Sequence, residues 1–492
     1  MSTMTNSLRK IIALSVPLLG LTACINLAPD YHQPTAPVTG TWPQNPAKSA
    51  SPVQTAANDL DWLTFFTDAR LRDVVQLGLR NNRDLRIATL NIERARAQYG
   101  IASADGLPAI GVDAQASRSR TPASVANSGE TTLSSRYNVD LGLTSYEIDF
   151  FGKIRNLKAA ALQRYLAAQE TRRSAQISLV SEIAAAWLQL EATGQQLALA
   201  RSTLVNQQKS HDLVRRSHAL GAESGLTLAQ SQTTVDAARV KVAEYETQLA
   251  QDKNALTLLT GAPVPASLLP PTEFALQARV ATRLVMPPAG LPSTVLQQRP
   301  DVLAAEHDLI AANADIGAAR AAFFPSISLL GSAGTASSSL SGLFSGGTLA
   351  WSVAPSLRLP IFDGGANRAN LDLTKAQKEI LLASYEKAIQ TAFREVADAL
   401  AVRTTIAARL QSQQSLVASS YRSFQLSSAL FTRGGGSGFL EVLDAQRAYY
   451  AAQQDMITLG LLEQLNRLAL FKTLGGGWQP IATATTAPTS SR

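Results

Sequence analysis

The sequence predicts a mixed α+β fold of two internal structural repeats, each joining a helix, a pair of strands and a long helical hairpin. Three observations carry this reading. Apolar residues recur every seven positions over long stretches, two other stretches switch to a period of two, and both patterns recur about half a chain apart. Periods of 3.5 and 2 mark packed helices and one-sided strands, and recurrence at a fixed step marks structural repeats.

The seven-residue seam is plainest in the second half. Ile389, Val396, Leu410, Val417 and Phe424 fall at steps of seven, with Arg403 the one polar member. Gly434, Gly435, Gly436 and Gly438 then break the helix, since each costs roughly 1 kcal/mol against alanine. Phe439, Val442, Leu443, Ala445, Ala448 and Tyr449 resume an apolar stripe. This is the tip of a helical hairpin. A step of 213 residues back, the seam reappears as Ile183, Leu190, Leu197 and Leu204, with His211 and His218 in place of Phe424 and Phe431. The same step carries Gly434, Ser437 and Gly438 onto Gly221, Ser224 and Gly225, a second tip. Further upstream, Asp84, Ala88, Ala95, Ala102, Pro108 and Ile110 match Asp301, Ala305, Ala312, Ala319, Pro325 and Ile327 at a step of 217.

Residues 1–23 form a lipoprotein signal: Arg9-Lys10, an apolar run from Ile11 to Gly20, and Leu21-Thr-Ala-Cys24, which resembles a bacterial lipobox. A ten-residue run is too short to span a bilayer as a helix and suits a signal h-region. Cleavage before Cys24 leaves it for lipidation, and it is the sole cysteine, so an exported chain carries no stray thiol. Loss of Arg9 and Lys10 takes the formal charge from +7 to +5. That excess is scattered, with no basic stripe interleaved with aromatics, so nucleic-acid binding has no support. Residues 24–69 begin as a Pro-, Ala-, Thr- and Ser-rich extended linker, and Asp61-Trp-Leu-Thr-Phe-Phe66 reads as an aromatic docking stretch.

Repeat 1 spans 70–292: a helix from about Arg70 to Ala104, a strand pair at about 109–147, a hairpin at about 152–261, and a linker. Repeat 2 spans 293–475: a helix from about Ser293 to Phe324, strands at about 326–361 and a hairpin at about 364–475, before a tail at 476–492. Ile110, Val112, Ala114 and Ala116 alternate with Gly111, Asp113, Gln115 and Ser117. Tyr137, Val139, Leu141 and Leu143 do the same, and Trp351, Val353 and Leu357 alternate with Ser352, Ala354 and Ser356. Strands of about ten residues with one apolar face fit a tilted membrane crossing and equally a half-buried soluble sheet. Closure separates the two. Four strands are too few for a barrel, for which about eight is the minimum, and open edges in lipid expose backbone groups at several kcal/mol each. A membrane sheet here requires an oligomer in which each chain supplies an arc. The helices agree: Arg155 to Ala219 is about 100 Å of helix at 1.5 Å per residue, too long to bury its stripe alone, and hairpins packed side by side would form a tube.

The residues resemble the TolC-like outer-membrane efflux proteins, in their lipidated OprM-type branch. The resemblance rests on the lipobox at Cys24, Ala28-Pro-Asp-Tyr31, Tyr146-Glu-Ile-Asp-Phe-Phe-Gly-Lys153, Gln298-Arg-Pro-Asp301, Leu359-Pro-Ile-Phe-Asp-Gly-Gly365 and Leu440-Glu-Val-Leu-Asp-Ala-Gln-Arg447, in order along nearly the whole chain. It implies a homotrimer with a twelve-stranded outer-membrane β-barrel, four strands per chain, continued by a helical coiled-coil tunnel in the periplasm of a Gram-negative bacterium. It implies lipidation, as with palmitate, at Cys24. Gly221, Ser224, Gly225, Gly434, Ser437 and Gly438 would dock a periplasmic adapter, fed by an inner-membrane pump of the proton-driven resistance-nodulation-division type. Leu440, Glu441, Asp444 and Arg447 would form a periplasmic gate, with Asp444 and Arg447 pairing between helices. Two departures stand out: the first tip reads Gly225-Leu-Thr-Leu-Ala where relatives carry an acid near Thr227, and the second has the extra Gly435 and Gly436.

No catalytic or cofactor chemistry competes. The glycine run at 434–438 lies between helices rather than after a strand, and there is no nucleophile elbow and no Cys/His cluster at metal spacing. His211 and His218, seven apart on one helix face, read as seam or solvated residues, or as a metal or pH-sensing pair. Glu441 and Asp444 read as a solvated acidic face or as the gate. The expected function is a passive exit duct exporting drugs or other small molecules; the alternative is a periplasmic structural or adapter-type coiled-coil lipoprotein without a barrel.

Overall fold

The computed structural model describes residues 25–42, 61–127, 129–271, 284–285, 293–433 and 438–476. The elements run α1 (Trp62–Phe65), α2 (Ala69–Asn81), α3 (Arg83–Ala104), β1 (Ala109–Thr121), β2 (Thr132–Ile148), α4 (Lys153–Ala219), α5 (Gly225–Thr260), α6 (Pro300–Ala321), β3 (Ser326–Ser337), β4 (Leu349–Arg358), α7 (Ala366–Thr432) and α8 (Phe439–Thr473). Both α4 and α7 are 67 residues long. An aspartate closes the turn before each. Asp149 accepts from the Arg155 N–H, and Asp363 from those of Gly365 and Asn367. First-turn N–H groups lack intrahelical partners and attract negative charge. The Asn367 and Gly365 amides hold the Asp363 carboxyl below its ordinary pKa.

The helix expected from Arg70 to Ala104 is two helices, broken at Asn82. Its counterpart is a 3-10 turn, Ser293–Gln298, followed by α6. Pro300 explains the second break, because proline suits the first helical position and disfavours helical backbone at the residue before it. Asn82 makes the first with its side chain, which accepts from the Leu85 N–H at 2.8 Å and so opens α3.

Two compact units interleave along the chain. One holds residues through Thr35, Asn91–Gln169 and Ala304–Glu386; the other holds Ala36–Leu90, Glu170–Leu303 and the chain from Lys387. In the first, the strands form one antiparallel sheet in the order β1-β2-β3-β4. Small side chains, Ala160 against Ala311 and Ala314, let α4 and α6 approach closely. The segment after residue 24, expected as an extended linker rather than a packed element, is extended but docked. The Leu27 carbonyl accepts from Arg320 at 3.0 Å and the Pro29 carbonyl from Asn313 at 2.6 Å. Tyr31 and Gln33 donate to Glu306. Asn313 and Arg320 thus satisfy two backbone carbonyls of an extended segment, and Glu306, a further seven residues back on α6, holds two of its side chains.

In the second unit, Trp62, Phe65 and Phe66 of the aromatic stretch meet Val74 and Val75 of α2 and Ile183, Trp187 and Leu188 of α4. Phe65 stacks on Phe471 at 4.1 Å. The seam residues Ile183, Leu190, Leu197, Ile389 and Val396 are all buried. Trp42, in the linker, is buried and stacks on Phe393 at 4.9 Å.

Candidate functional site

Strand register decides what each sheet face presents. Ile110 pairs with Leu143, Gly331 and Val353 across the sheet, and the next rung is Val112, Leu141, Ala333 and Trp351. A register shift between Leu143 and Tyr146 swaps the parity of β2, so Tyr146 and Ile148 join the same face beside Leu329 and Ile327. This face is apolar and open: Val112 is 71 % exposed and Trp351 73 %. Trp351, Val353 and Leu357 lie on it as expected, and Ser352, Ala354 and Ser356 on the other. A half-buried soluble sheet would instead cover its apolar side.

A tyrosine sits near each end of the apolar face, with the Ile148–Ile327–Leu357 rung one step beyond Tyr146. Tyr146 pairs with Leu329 at the end next to α4, and Tyr137 pairs with Ser337 near the far end. Leu329 to Ser337 is about 27 Å of strand at 3.4 Å per residue, or roughly 20 Å of height at a 40° tilt. Outer-membrane barrels carry an outward apolar band about 25 Å tall between aromatic girdles. The opposite face is polar. Asp113 pairs with Asp140, and Asn138 donates to Asp140 at 2.5 Å. Ser332 bonds Ser352 at 2.9 Å. Gly334 lies beside Asp140, where a Cβ would come within 2.1 Å of the Val139 carbonyl, so no side chain fits there.

At the first hairpin tip, Gly221 has φ +77°. Its N–H bonds the His218 carbonyl at 2.9 Å and the Ala222 N–H that of Ser217 at 2.9 Å, the paired bonds of a glycine-capped helix end. Ser224 caps α5 by accepting from the Thr227 N–H. A Cβ at Gly221, Gly225 or Gly438 would meet nothing within 4 Å, so what sets Gly221 apart is its positive φ and not its surroundings. His211 lies 2.7 Å from Ser231, and His218 donates to the Glu223 carbonyl at 2.8 Å. Each histidine thus has its own partner, and the structure does not bring the two together. Around the second tip, Phe431 packs on Phe439 at 5.6 Å and Phe424 stacks on Tyr449 at 6.2 Å.

Leu440, Glu441, Asp444 and Arg447 share the exposed face of α8, opposite the buried Val442, Leu443 and Gln446. Neither Asp444 nor Arg447 meets an ion-pair partner among the described residues. Cys24, Gly434 and Ser437 lie outside the described residues. Sequence reasoning picked out Gln298-Arg-Pro-Asp301 without finding its work. Arg299, 8 % exposed, bonds Asp301 at 2.7 Å, Glu395 at 3.0 Å and the Thr473 carbonyl at 3.0 Å. Burial alone would lower its pKa; Asp301 and Glu395 outweigh that and raise it. Sequence reasoning also missed Tyr146 as a member of the apolar face, because the register shift breaks its alternation with Tyr137.

An open apolar sheet face and long capped hairpins define a membrane conduit component rather than an enzyme. The chain belongs to the family described as "Outer membrane efflux protein", which matches residues 74–262 and 291–476. It is an outer-membrane exit duct of efflux, and the adapter-type alternative falls. Two Pseudomonas putida proteins, "Antibiotic efflux pump outer membrane protein ArpC" and "Toluene efflux pump outer membrane protein TtgC", are each 44 % identical over 471 residues, covering 96 % of both chains. The structure of the open state of the Neisseria gonorrhoeae MtrE outer membrane channel aligns with a TM-score of 0.79 and 36 % identity, covering 92 % of this chain and 99 % of that one. Among the described residues no helix is long and apolar enough to cross a membrane.

Proposed function

We propose that three copies of this chain close a twelve-stranded barrel and continue it as a helical tunnel, a passive duct for small apolar or amphipathic molecules such as antibiotics and aromatic solvents. The observation that carries this is a four-stranded sheet whose apolar face is open and in which, among the described residues, β1 and β4 each pair with one strand. Lipid accepts the face but not the edges, and further copies of the same arc remove both edges. Leu416, Tyr421, Leu426 and Leu430 of α7 are exposed in the single chain and suit neighbouring hairpins.

Export draws its energy from a partner pump of the proton-driven resistance-nodulation-division type, reached through a periplasmic adapter. The tips suit docking. Gly221 is needed for the turn itself and Ser224 for the cap, while Gly225 and Gly438 leave space for another chain, with Gly434 and Ser437 beside them in sequence. Leu440, Glu441, Asp444 and Arg447 form the gate, with Asp444 and Arg447 pairing between helices of different copies. Lipidation at Cys24 fits the docked segment that follows it, since the Ile25 carbonyl lies against Gly152 in the turn between β2 and α4.

Electrophoresis without boiling tests the barrel. Detergent-extracted protein should run as a heat-modifiable trimer, and a monomer at every temperature would overturn the reading. Cys24→Ala should abolish palmitate labelling yet leave trimers, because a closed barrel is already committed to the membrane; labelling that persists would refute lipidation at this residue.

A further inference from the structure

We propose that Arg118 and Arg120 form a site for the phosphate groups of an anionic glycolipid of the outer leaflet, at the rim of the apolar sheet face. The inference rests on the barrel proposed above and adds a ligand to it. Register places both arginines on the outward face. They follow Ile110, Val112, Ala114 and Ala116 at steps of two, with Arg118 opposite Ser135 and Arg120 opposite Leu133. Both are exposed.

Charge is sorted sharply between the faces. The strand acids Asp113, Asp140 and Glu147 all lie on the inner face, as do Arg136 and Arg358. Among the described strand residues, Arg118 and Arg120 are therefore the outward charges, and no acid shares their face. They come one and two rungs beyond Tyr137, at the strand end away from α3. An arginine facing lipid is costly at the midplane and far less so near the interface. Their level is thus that of the headgroups. Two guanidinium groups about 7 Å apart along one strand offer forked donors that match phosphate oxygens. The apolar rungs just below them would hold the acyl chains of the same lipid, which favours a lipid over free phosphate. Solvation alone would be served on either face, and Arg136, beside Ser135 but facing inward, serves as the control.

Purified trimer in detergent would be titrated with lipid A, with lipid A stripped of its phosphates, and with inorganic phosphate as competitor, and bound lipid read by native mass spectrometry. The wild type and Arg136→Gln should retain lipid A equally. Arg118→Gln with Arg120→Gln should retain about tenfold less, as should the wild type given the dephosphorylated lipid. Should that double variant assemble poorly, Arg118→Lys with Arg120→Lys keeps the charge and loses the fork, and should retain about threefold less. Undiminished retention by the assembled variants overturns the site. So does equal retention of the dephosphorylated lipid, and displacement of lipid A by equimolar phosphate reduces it to a bare anion site. Heat-modifiable migration is scored first: its absence in the wild type overturns the barrel and this site with it, whereas intact trimers with unchanged lipid retention overturn the site alone.

Discussion

Asn82 and Arg299 stand 217 residues apart at matching places in the two halves, and they meet one structural need with different chemistry. Each marks the break between a first helical segment and the helix that leads to the strands. Each also donates to a carbonyl at the end of its own hairpin's return helix: Asn82 to Leu259 at 2.8 Å, Arg299 to Thr473 at 3.0 Å. Arg299 adds two carboxylates, Asp301 and Glu395. At the matching steps the first half has Asp84 and Glu182, and both are exposed. The fold needs a donor at this point; charge is an addition. A guanidinium this buried must have its acids, because an unpaired buried ion costs several kcal/mol, whereas a buried amide needs only its hydrogen bonds.

That difference sets the largest expected effect. Arg299→Ala should lower stability by about 3–4 kcal/mol, toward the low end for breaking a buried pair because Asp301 and Glu395 keep some contact with water. Asn82→Ala should cost only about 1–2 kcal/mol, a lost cap and a lost hydrogen bond. The temperature at which the proposed trimer dissociates on gels compares the two, and equal losses would break the contrast.

The strands extend the comparison, since both halves lend rungs to one apolar face. Arginine at Leu141 in the first half and at Val353 in the second should each cost ~2–4 kcal/mol near the midplane, and arginine at Ala354 on the inner face much less. Assembled trimer would be measured in membranes. Equal loss from Val353→Arg and Ala354→Arg would contradict the register, and unequal loss from Leu141→Arg and Val353→Arg would set the halves apart.

The smallest energetic effect belongs to the second tip. A solvated Arg–carboxylate pair contributes about 0–1 kcal/mol, so Asp444→Ala with Arg447→Ala should leave trimer yield unchanged while raising single-channel conductance in planar bilayers. The step of 213 places Ser231 and Thr234 at the matching positions of the first hairpin, where both are buried and hydrogen-bonded. Ser231→Ala should therefore leave conductance unchanged. Wild-type conductance in the Asp444/Arg447 variant would leave those residues as a solvated face.

Much of the fold was legible in the sequence because it is local. The seven-residue seam of Ile183, Leu190 and Leu197 fixes which side of α4 is buried, and the alternation around Trp351 fixes two strand faces. Gly221 ends a helix whatever surrounds it, and the glycines after Arg433 interrupt the helical pattern by composition alone. Sequence also placed His211 and His218 where Phe424 and Phe431 stand, without saying that one seam would be hydrogen-bonded and the other aromatic.

Other features were decided only when distant parts of the chain met. Arg299 reaches partners 96 and 174 residues away. The Pro-rich segment after residue 24 docks because Glu306, Asn313 and Arg320 come to lie alongside it, and nothing in its own composition announces that. The register shift at Leu143 and Tyr146 depends on β3 as the partner strand, yet it alone moves Tyr146 and Ile148 onto the apolar face. The step of 213 aligned Asp444 with Ser231, but burial separated them, because the neighbour that each return helix packs against decides which of its sides is covered. Periodicity is a property of one segment and survives in the sequence; a contact is a property of two surfaces, and only the folded chain selects the pair.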